Sequence, residues 1–316
     1  MFYPLLAIVL GIAVLVVGAD RFVAGAAAIA RLFGLSPLLI GMVIVGFGTS
    51  TPEMIVSATS SLQGSTDIAL GNAYGSNITN ILLILGVCAI IHPLKAAADA
   101  VKRELPILLF VTAVTFAFLW DGVVSRVDAI IMLIIFVGCL GFSIRQSRAS
   151  GADAALPEEE AAPGAKMSPF AALVWIAIGL GLMMGSSYFL VWGAVAVAQY
   201  FGVSELVIGL TVVAVGTSLP ELASSIVASF RGEDDIALGN IIGSNVFNSL
   251  VVVGIAGLIS PLGSSPELFS RDLPVMAATT VLLYIFCRSR PSPGLLTRGE
   301  GAVLFGGYVA YTAYLI

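Results

Sequence analysis

Charge is scarce in this chain. Of its 316 residues only 10% are Asp, Glu, Lys or Arg, against 59% hydrophobic, and the mean hydropathy is +1.05. A soluble domain carries about 25% charged residues, so a water-exposed globule is excluded. The net charge of -5, much of its acid in one loop, argues for neither a basic nor an acidic partner. Imidazole is almost absent: His92, beside Pro93 at the end of an apolar run, stands alone and is assigned no chemistry. Cys88, Cys139 and Cys287 sit singly in apolar runs without metal-ligand or disulfide spacing and read as small buried hydrophobes. A basic segment and an A-x-A cleavage site are missing ahead of the first apolar run, which reads as a retained span.

What is present is a series of apolar runs, each near the roughly 20 residues a helix needs to cross hydrocarbon. They fall at about 2–19, 37–62, 68–90, 104–120, 126–145, 168–191, 205–230, 236–259, 272–288 and 301–316. The expected fold class is an all-α polytopic membrane protein with ten transmembrane helices. Between the fifth and sixth runs lies "SGADAALPEEEAAPGAK", whose composition cannot build a core and reads as a linker over 146–167.

Shifted by 168 residues, the sequence meets itself. "GTSTPE" (48–53) falls on "GTSLPE" (216–221), and "DIALGNAYGSNITN" (67–80) on "DIALGNIIGSNVFN" (235–248). Over the motif regions 40–86 and 208–254, 23 of 47 positions are identical without a gap. The expected domains are therefore two five-helix repeats, 1–145 and 168–316. An odd unit followed by its copy enters the membrane from the opposite side, which makes the repeats inverted. With the N-terminus outside, twelve Lys and Arg residues fall in inside loops and only Arg126 and Arg271 outside. Both termini are then external and the linker cytoplasmic, in the plasma or inner membrane.

Gly48 and Pro52 interrupt the second run, and Gly216 and Pro220 the seventh. Proline removes a backbone donor and steers its predecessor away from helical angles. Broken backbone at membrane depth is tolerated only in a protein-lined or polar site. Helices 2 and 7 are thus expected to be broken, with carbonyls near Thr49 and Thr217 released as ligands. Glu53 and Glu221 follow the breaks, and a charge at mid-bilayer costs at least about 2.5–3.5 kcal/mol. In the next run of each half, Asn72, Ser76 and Asn80, and Asn240, Ser244 and Asn248, stand at i, i+4, i+8 on one helical face. Gly71, Gly75, Gly239 and Gly243 leave room for close helix approach. The adjacent Asn77 and Asn245 lie one residue off those stripes and suit interhelical bonding. The combined set is all oxygen, which suits a hard cation such as Ca²⁺ or Na⁺. Two carboxylates balance one Ca²⁺ or two Na⁺, so one pocket holding either ion is a basis for exchange.

The paired "GTSxPE" and "GNxxGSN" motifs resemble the two α-repeats of the cation/calcium exchanger superfamily, in its bacterial and archaeal sodium/calcium exchanger branch. The resemblance covers essentially the whole chain. It implies a secondary antiporter working by alternating access, with Ca²⁺ and Na⁺ carried between helices 2, 3, 7 and 8. It implies Glu53 and Glu221 as shared carboxylates and Thr49 and Thr217 as carbonyl donors. Ser50, Ser218, Ser76, Ser244, Asn80 and Asn248 would make sodium or water-mediated contacts. Some members carry an acid where Asn248 stands; here the site has two acids. Ca²⁺/H⁺ or K⁺-assisted exchange is the alternative, and an intramembrane carboxyl-dyad hydrolase, which would leave the Asn/Ser stripes idle, a remote one. No cofactor, nucleic acid or protein partner is expected beyond the lipid bilayer and the transported ions.

The topology is testable directly. A cysteine introduced at Glu158 is expected to react with impermeant maleimide from the cytoplasmic side only; labelling from outside contradicts both the orientation and the inversion.

Overall fold

The computed structural model describes residues 2–95, 98, 100–151, 167–202, 214–288 and 294–315. Most of the linker, and the first half of the expected seventh span, lie outside the described residues. The chain is nearly all helical. Its helices are α1 (Phe2–Phe33), α2 (Pro37–Thr49), α3 (Thr51–Leu62), α4 (Thr66–Ile91), α5 (Leu105–Phe118) and α6 (Arg126–Gly151) in the first half. The second half has α7 (Pro169–Tyr200), α8 (Ala214–Thr217), α9 (Leu219–Phe230), α10 (Asp234–Ile259), α11 (Leu273–Arg288) and α12 (Arg298–Leu315).

Among the described residues six helices are long and apolar enough to cross a membrane, and seven if the bent pair α2–α3 is one span. Helices α5, α9 and α12 occupy the places of the expected fourth, seventh and tenth spans. Hydropathy placed the first and sixth spans short. The helices run on to Phe33 and Tyr200, because alanine-rich segments such as Ala26–Ala28 keep helical propensity after the strongly apolar stretch has ended.

The polarity is inverted relative to a soluble protein. Large apolar side chains face outward, with Tyr3, Val137 and Phe170 between 66% and 76% exposed, whereas Glu53 and Glu221 are fully buried. Helices α4 and α10 form the centre, and α1, α6 and α7 present their apolar sides to the surroundings. Helices α1 and α7, the first element of each repeat, pack antiparallel along their length. Gly11 meets Ser186 and Leu190, Gly18 meets Gly179, and Gly25 meets Ala172. Gly239 and Gly243 bring α10 onto the Leu38–Met42 backbone of α2, as their spacing predicts. Gly71 and Gly75 have no described atom within reach of an added Cβ.

Other features recur at the 168-residue offset. Wide π-helical turns span Asn80–Leu85 and Asn248–Val252, and again Ala100–Glu104 and Leu268–Asp272. Two short antiparallel pairs exchange partners between halves: β1 (Leu94–Lys95) pairs with β4 (Leu295–Leu296), and β2 (Val123–Val124) with β3 (Leu262–Gly263). The Ser143 hydroxyl donates to Glu104 at 2.9 Å, and Tyr311, at the equivalent place, donates to Asp272 at 2.9 Å.

The α1–α7 contact generates a prediction. A Cβ on Gly179 would lie 2.6 Å from the Gly18 carbonyl oxygen and the Phe22 nitrogen. One on Gly181 meets no described atom. Gly179→Ala is expected to lower the apparent melting temperature in detergent, at an overpacking cost of about 1–3 kcal/mol. Gly181→Ala is expected to leave it unchanged or raise it slightly. Equal effects would contradict this packing.

Candidate functional site

Both halves break a helix in the same way. Between α2 and α3 the axis bends by 46° at Ser50, whose φ and ψ are -79° and 4°. Ser218, between α8 and α9, has φ -90° and ψ 9°. Pro52 and Pro220 open the following helices, where a missing N–H costs nothing. The break therefore falls two residues before each proline. Glu53 and Glu221 enter the first turn of α3 and α9, where the positive end of the helix dipole favours a carboxylate.

The two acids are held crosswise. The Ser50 hydroxyl donates to Glu221 Oε1 at 3.3 Å, and the Ser218 hydroxyl to Glu53 Oε1 at 3.5 Å. Thr49 also faces Glu221, and Thr217 faces Glu53. Each half thus supplies the carboxylate of one pair and the hydroxyls of the other. The second oxygen, Oε2, of each glutamate is buried and has no protein partner.

Asn72 and Asn240, expected as ligands, are each bonded to the neighbouring broken helix. Asn72 donates to the Glu53 carbonyl at 3.1 Å and to Ser57 Oγ at 2.8 Å. Asn240 donates to the Glu221 carbonyl at 3.2 Å and to Ser225 Oγ at 2.8 Å. Its amide also donates to Ser224 Oγ at 3.0 Å, and its oxygen accepts from Thr49 at 3.1 Å. Asn240 is committed at both ends, so this pair braces α4 against α3 and α10 against α9. Thr49 also donates to Val45 O at 3.0 Å, and Ser244 donates to Gly46 O at 3.4 Å, tying α10 to α2. Ser76 is buried on α4. Gly48 and Gly216 are buried at the breaks: a Cβ on Gly48 would crowd the Phe22 ring, and one on Gly216 the Val191 side chain.

Asn80 and Asn248 begin the two wide turns. The Asn80 turn packs on α9, which carries Glu221, and the Asn248 turn on α3, which carries Glu53. Asn80 Oδ1 and both amide atoms of Asn248 are buried and unpartnered. Asn77 and Asn245 bond between α4 and α10, as their position off the stripe suggests. Four buried oxygens, two carboxylate and two amide, therefore lack a protein donor at matched positions of the two halves. Buried polar atoms are paired in more than about 90% of cases, which makes this matched set the candidate site. Among the described residues no group of three His, Cys, Asp or Glu is assembled. The available atoms on these residues are carboxylate and amide oxygens, a donor set that suits hard cations rather than zinc or copper. The wide turns had no signal in residue composition, although their pairing follows the repeat.

Paired buried acids at helix breaks in a polytopic helical membrane protein match transporter architecture, and the relatives are transporters, not enzymes. The chain belongs to the sodium/calcium exchanger protein family, whose sequence model matches it twice, over residues 3–145 and 171–316. It is similar to the putative antiporter CaxA of Alkalimonas amylolytica, 43% identical over 96% of each chain. The sodium/calcium exchanger MaX1 of Methanosarcina acetivorans is 31% identical over 98% of this chain and 97% of its own. The solved sodium-calcium exchanger NCX_Mj, soaked with 10 mM Na⁺ and 10 mM Sr²⁺, superposes with a TM-score of 0.84 at 31% identity, covering 100% of this chain and 99% of that one. This protein is thus a membrane antiporter of cations.

Proposed function

We propose that the protein exchanges Ca²⁺ for Na⁺ at a single central site and that Glu53 and Glu221 are its shared charged ligands. The carrying observation is the matched set of unpartnered buried oxygens on Glu53, Glu221, Asn80 and Asn248. Two carboxylates in a low-dielectric interior repel each other and lose hydration. A divalent cation removes both costs at once, and two monovalent cations do so equally in charge. In this reading Ser50, Ser218, Thr49 and Thr217 complete the lining, with Ser76 and Ser244 beside them on the central helices. Asn72 and Asn240 hold the frame. The sodium/calcium exchange named for MaX1 and NCX_Mj supports the choice of ions.

Alternating access is part of the same proposal. Ten spans in two inverted repeats, with α5, α8–α9 and α12 counted among them, make the two sides of the site interconvertible by a pseudo-two-fold axis in the membrane plane. The antiparallel α1–α7 contact, the crosswise serine–glutamate bonds and the exchanged β pairs all support that symmetry.

Flux of ⁴⁵Ca²⁺ into proteoliposomes under imposed Na⁺, K⁺ or pH gradients tests it. Uptake is expected to follow an outward Na⁺ gradient; uptake driven only by K⁺ or pH would move the coupling ion to the alternative. Glu53→Gln and Glu221→Gln are each expected to abolish uptake in monodisperse protein. Gln removes the charge and one of two oxygens, and each 1.4 kcal/mol lost is about tenfold in affinity. Near wild-type flux in either variant removes that residue from the site.

A further inference from the structure

The two amides at the wide turns are not held alike. Asn80 Nδ2 donates to Asn245 Oδ1 at 3.0 Å. Asn245 Nδ2 in turn donates to the main-chain oxygen of Asn77 at 3.4 Å. Both ends of the Asn245 amide are engaged, so its orientation is defined, and it defines that of Asn80. The Asn80 amine points to Asn245, and its Oδ1 is left buried and unpartnered. The two-fold equivalent would be Asn77 holding Asn248. That bond is not made: Asn77 Oδ1 is buried and unpartnered, while Asn77 Nδ2 donates to Ser249 Oγ at 2.8 Å and lies 3.5 Å from Met276 Sδ. Both polar atoms of Asn248 remain without a partner. The sequence differs at the neighbouring position too: Ser249 stands where the first repeat has Ile81, which offers no side-chain acceptor to Asn245.

The two ends of a carboxamide are nearly equal in size, so shape cannot choose which one faces an ion. Hydrogen bonding alone makes the choice. An amide oxygen turned toward a cation is a ligand; an amine in the same place repels it. We infer that Asn245 is a positioning residue that turns the Asn80 carbonyl oxygen toward the cation site and keeps the Asn80 amine out of it. Asn248 has no such clamp, so no protein hydrogen bond selects which of its two ends faces the site. The site is therefore functionally asymmetric, although the sequence repeat makes it look symmetric. The inference rests on the cation site proposed above.

Cation binding to the purified full-length protein tests it, read as the Ca²⁺ or Na⁺ concentration giving half-maximal thermal stabilisation. Asn245→Leu is expected to weaken binding about tenfold, the scale of one hydrogen-bond-strength ligand to a charged group. Asn77→Leu is expected to change it less than about twofold, a few tenths of a kcal/mol. A merely structural role is separated by a cycle. Asn245→Leu added to Asn80→Ala is expected to cause no further loss, because the amide it orients is gone. Asn80→Asp, whose carboxylate presents oxygen either way round, is expected to restore binding to the Asn245→Leu protein. Wild-type affinity in Asn245→Leu, or additive losses in the Asn80→Ala pair, overturns the inference while leaving the cation site intact. Should Asn245→Leu not yield monodisperse protein, Asn245→Ser, too short to reach Asn80, runs the same cycle. Absence of stabilisation of the wild type by either ion overturns the cation site itself, and the inference with it.

Discussion

Two carboxylates buried side by side in a protein that shows hydrocarbon to its surroundings are the constraint on which this structure depends. Neither Glu53 nor Glu221 reaches solvent, and each keeps one oxygen without a protein donor. Removing a charge from water costs several kcal/mol even after relaxation. The surrounding features reduce that cost without eliminating it. Each acid stands in the first turn of a helix and receives a hydroxyl from the opposite half. What remains is a demand for positive charge, which a resident lysine or arginine would have satisfied permanently. Its being left to mobile cations is the physical basis of transport in this account.

The frame around the acids is correspondingly stiff. Asn72 and Asn240 pin the backbone of each glutamate to the adjacent central helix. Glycines let α10 lie directly on the α2 backbone. The prolines permit a bend without a lost donor, since each sits where the next helix begins. Rigid local geometry at the site is compatible with larger rearrangement only if whole helices move. The α1–α7 pair is joined along its length through glycine contacts.

Much of this was legible in the sequence because the chemistry is duplicated. A glutamate after "GTSxP" could be incidental once; at both 53 and 221, followed by matching Asn/Ser stripes, it marks a site. The 168-residue register relates the two crosswise bonds to each other, since it carries Ser50 with Glu221 onto Ser218 with Glu53, but neither bond was expected from the sequence. Three things were hidden. Helix ends in α1 and α7 outran the apolar windows, because alanine carries helix where hydropathy falls. Asn72 and Asn240 shared a face with Asn80 and Asn248 and so looked like equal ligands. Only the folded chain shows that Asn72 and Asn240 bond the backbone of the two glutamates. The asymmetry between Asn80 and Asn248 falls on positions identical in the two motifs, and only the folded chain shows that Asn80 is bonded to Asn245 while Asn248 has no partner.

The central claim is that both cations use one pocket built on the two glutamates. Equilibrium ⁴⁵Ca²⁺ binding to purified protein at increasing Na⁺ measures this most directly. One pocket predicts that Na⁺ raises the apparent Ca²⁺ dissociation constant without limit, at unchanged Ca²⁺ capacity. A Ca²⁺ affinity that levels off at a finite value while Na⁺ continues to bind would show separate sites and contradict it.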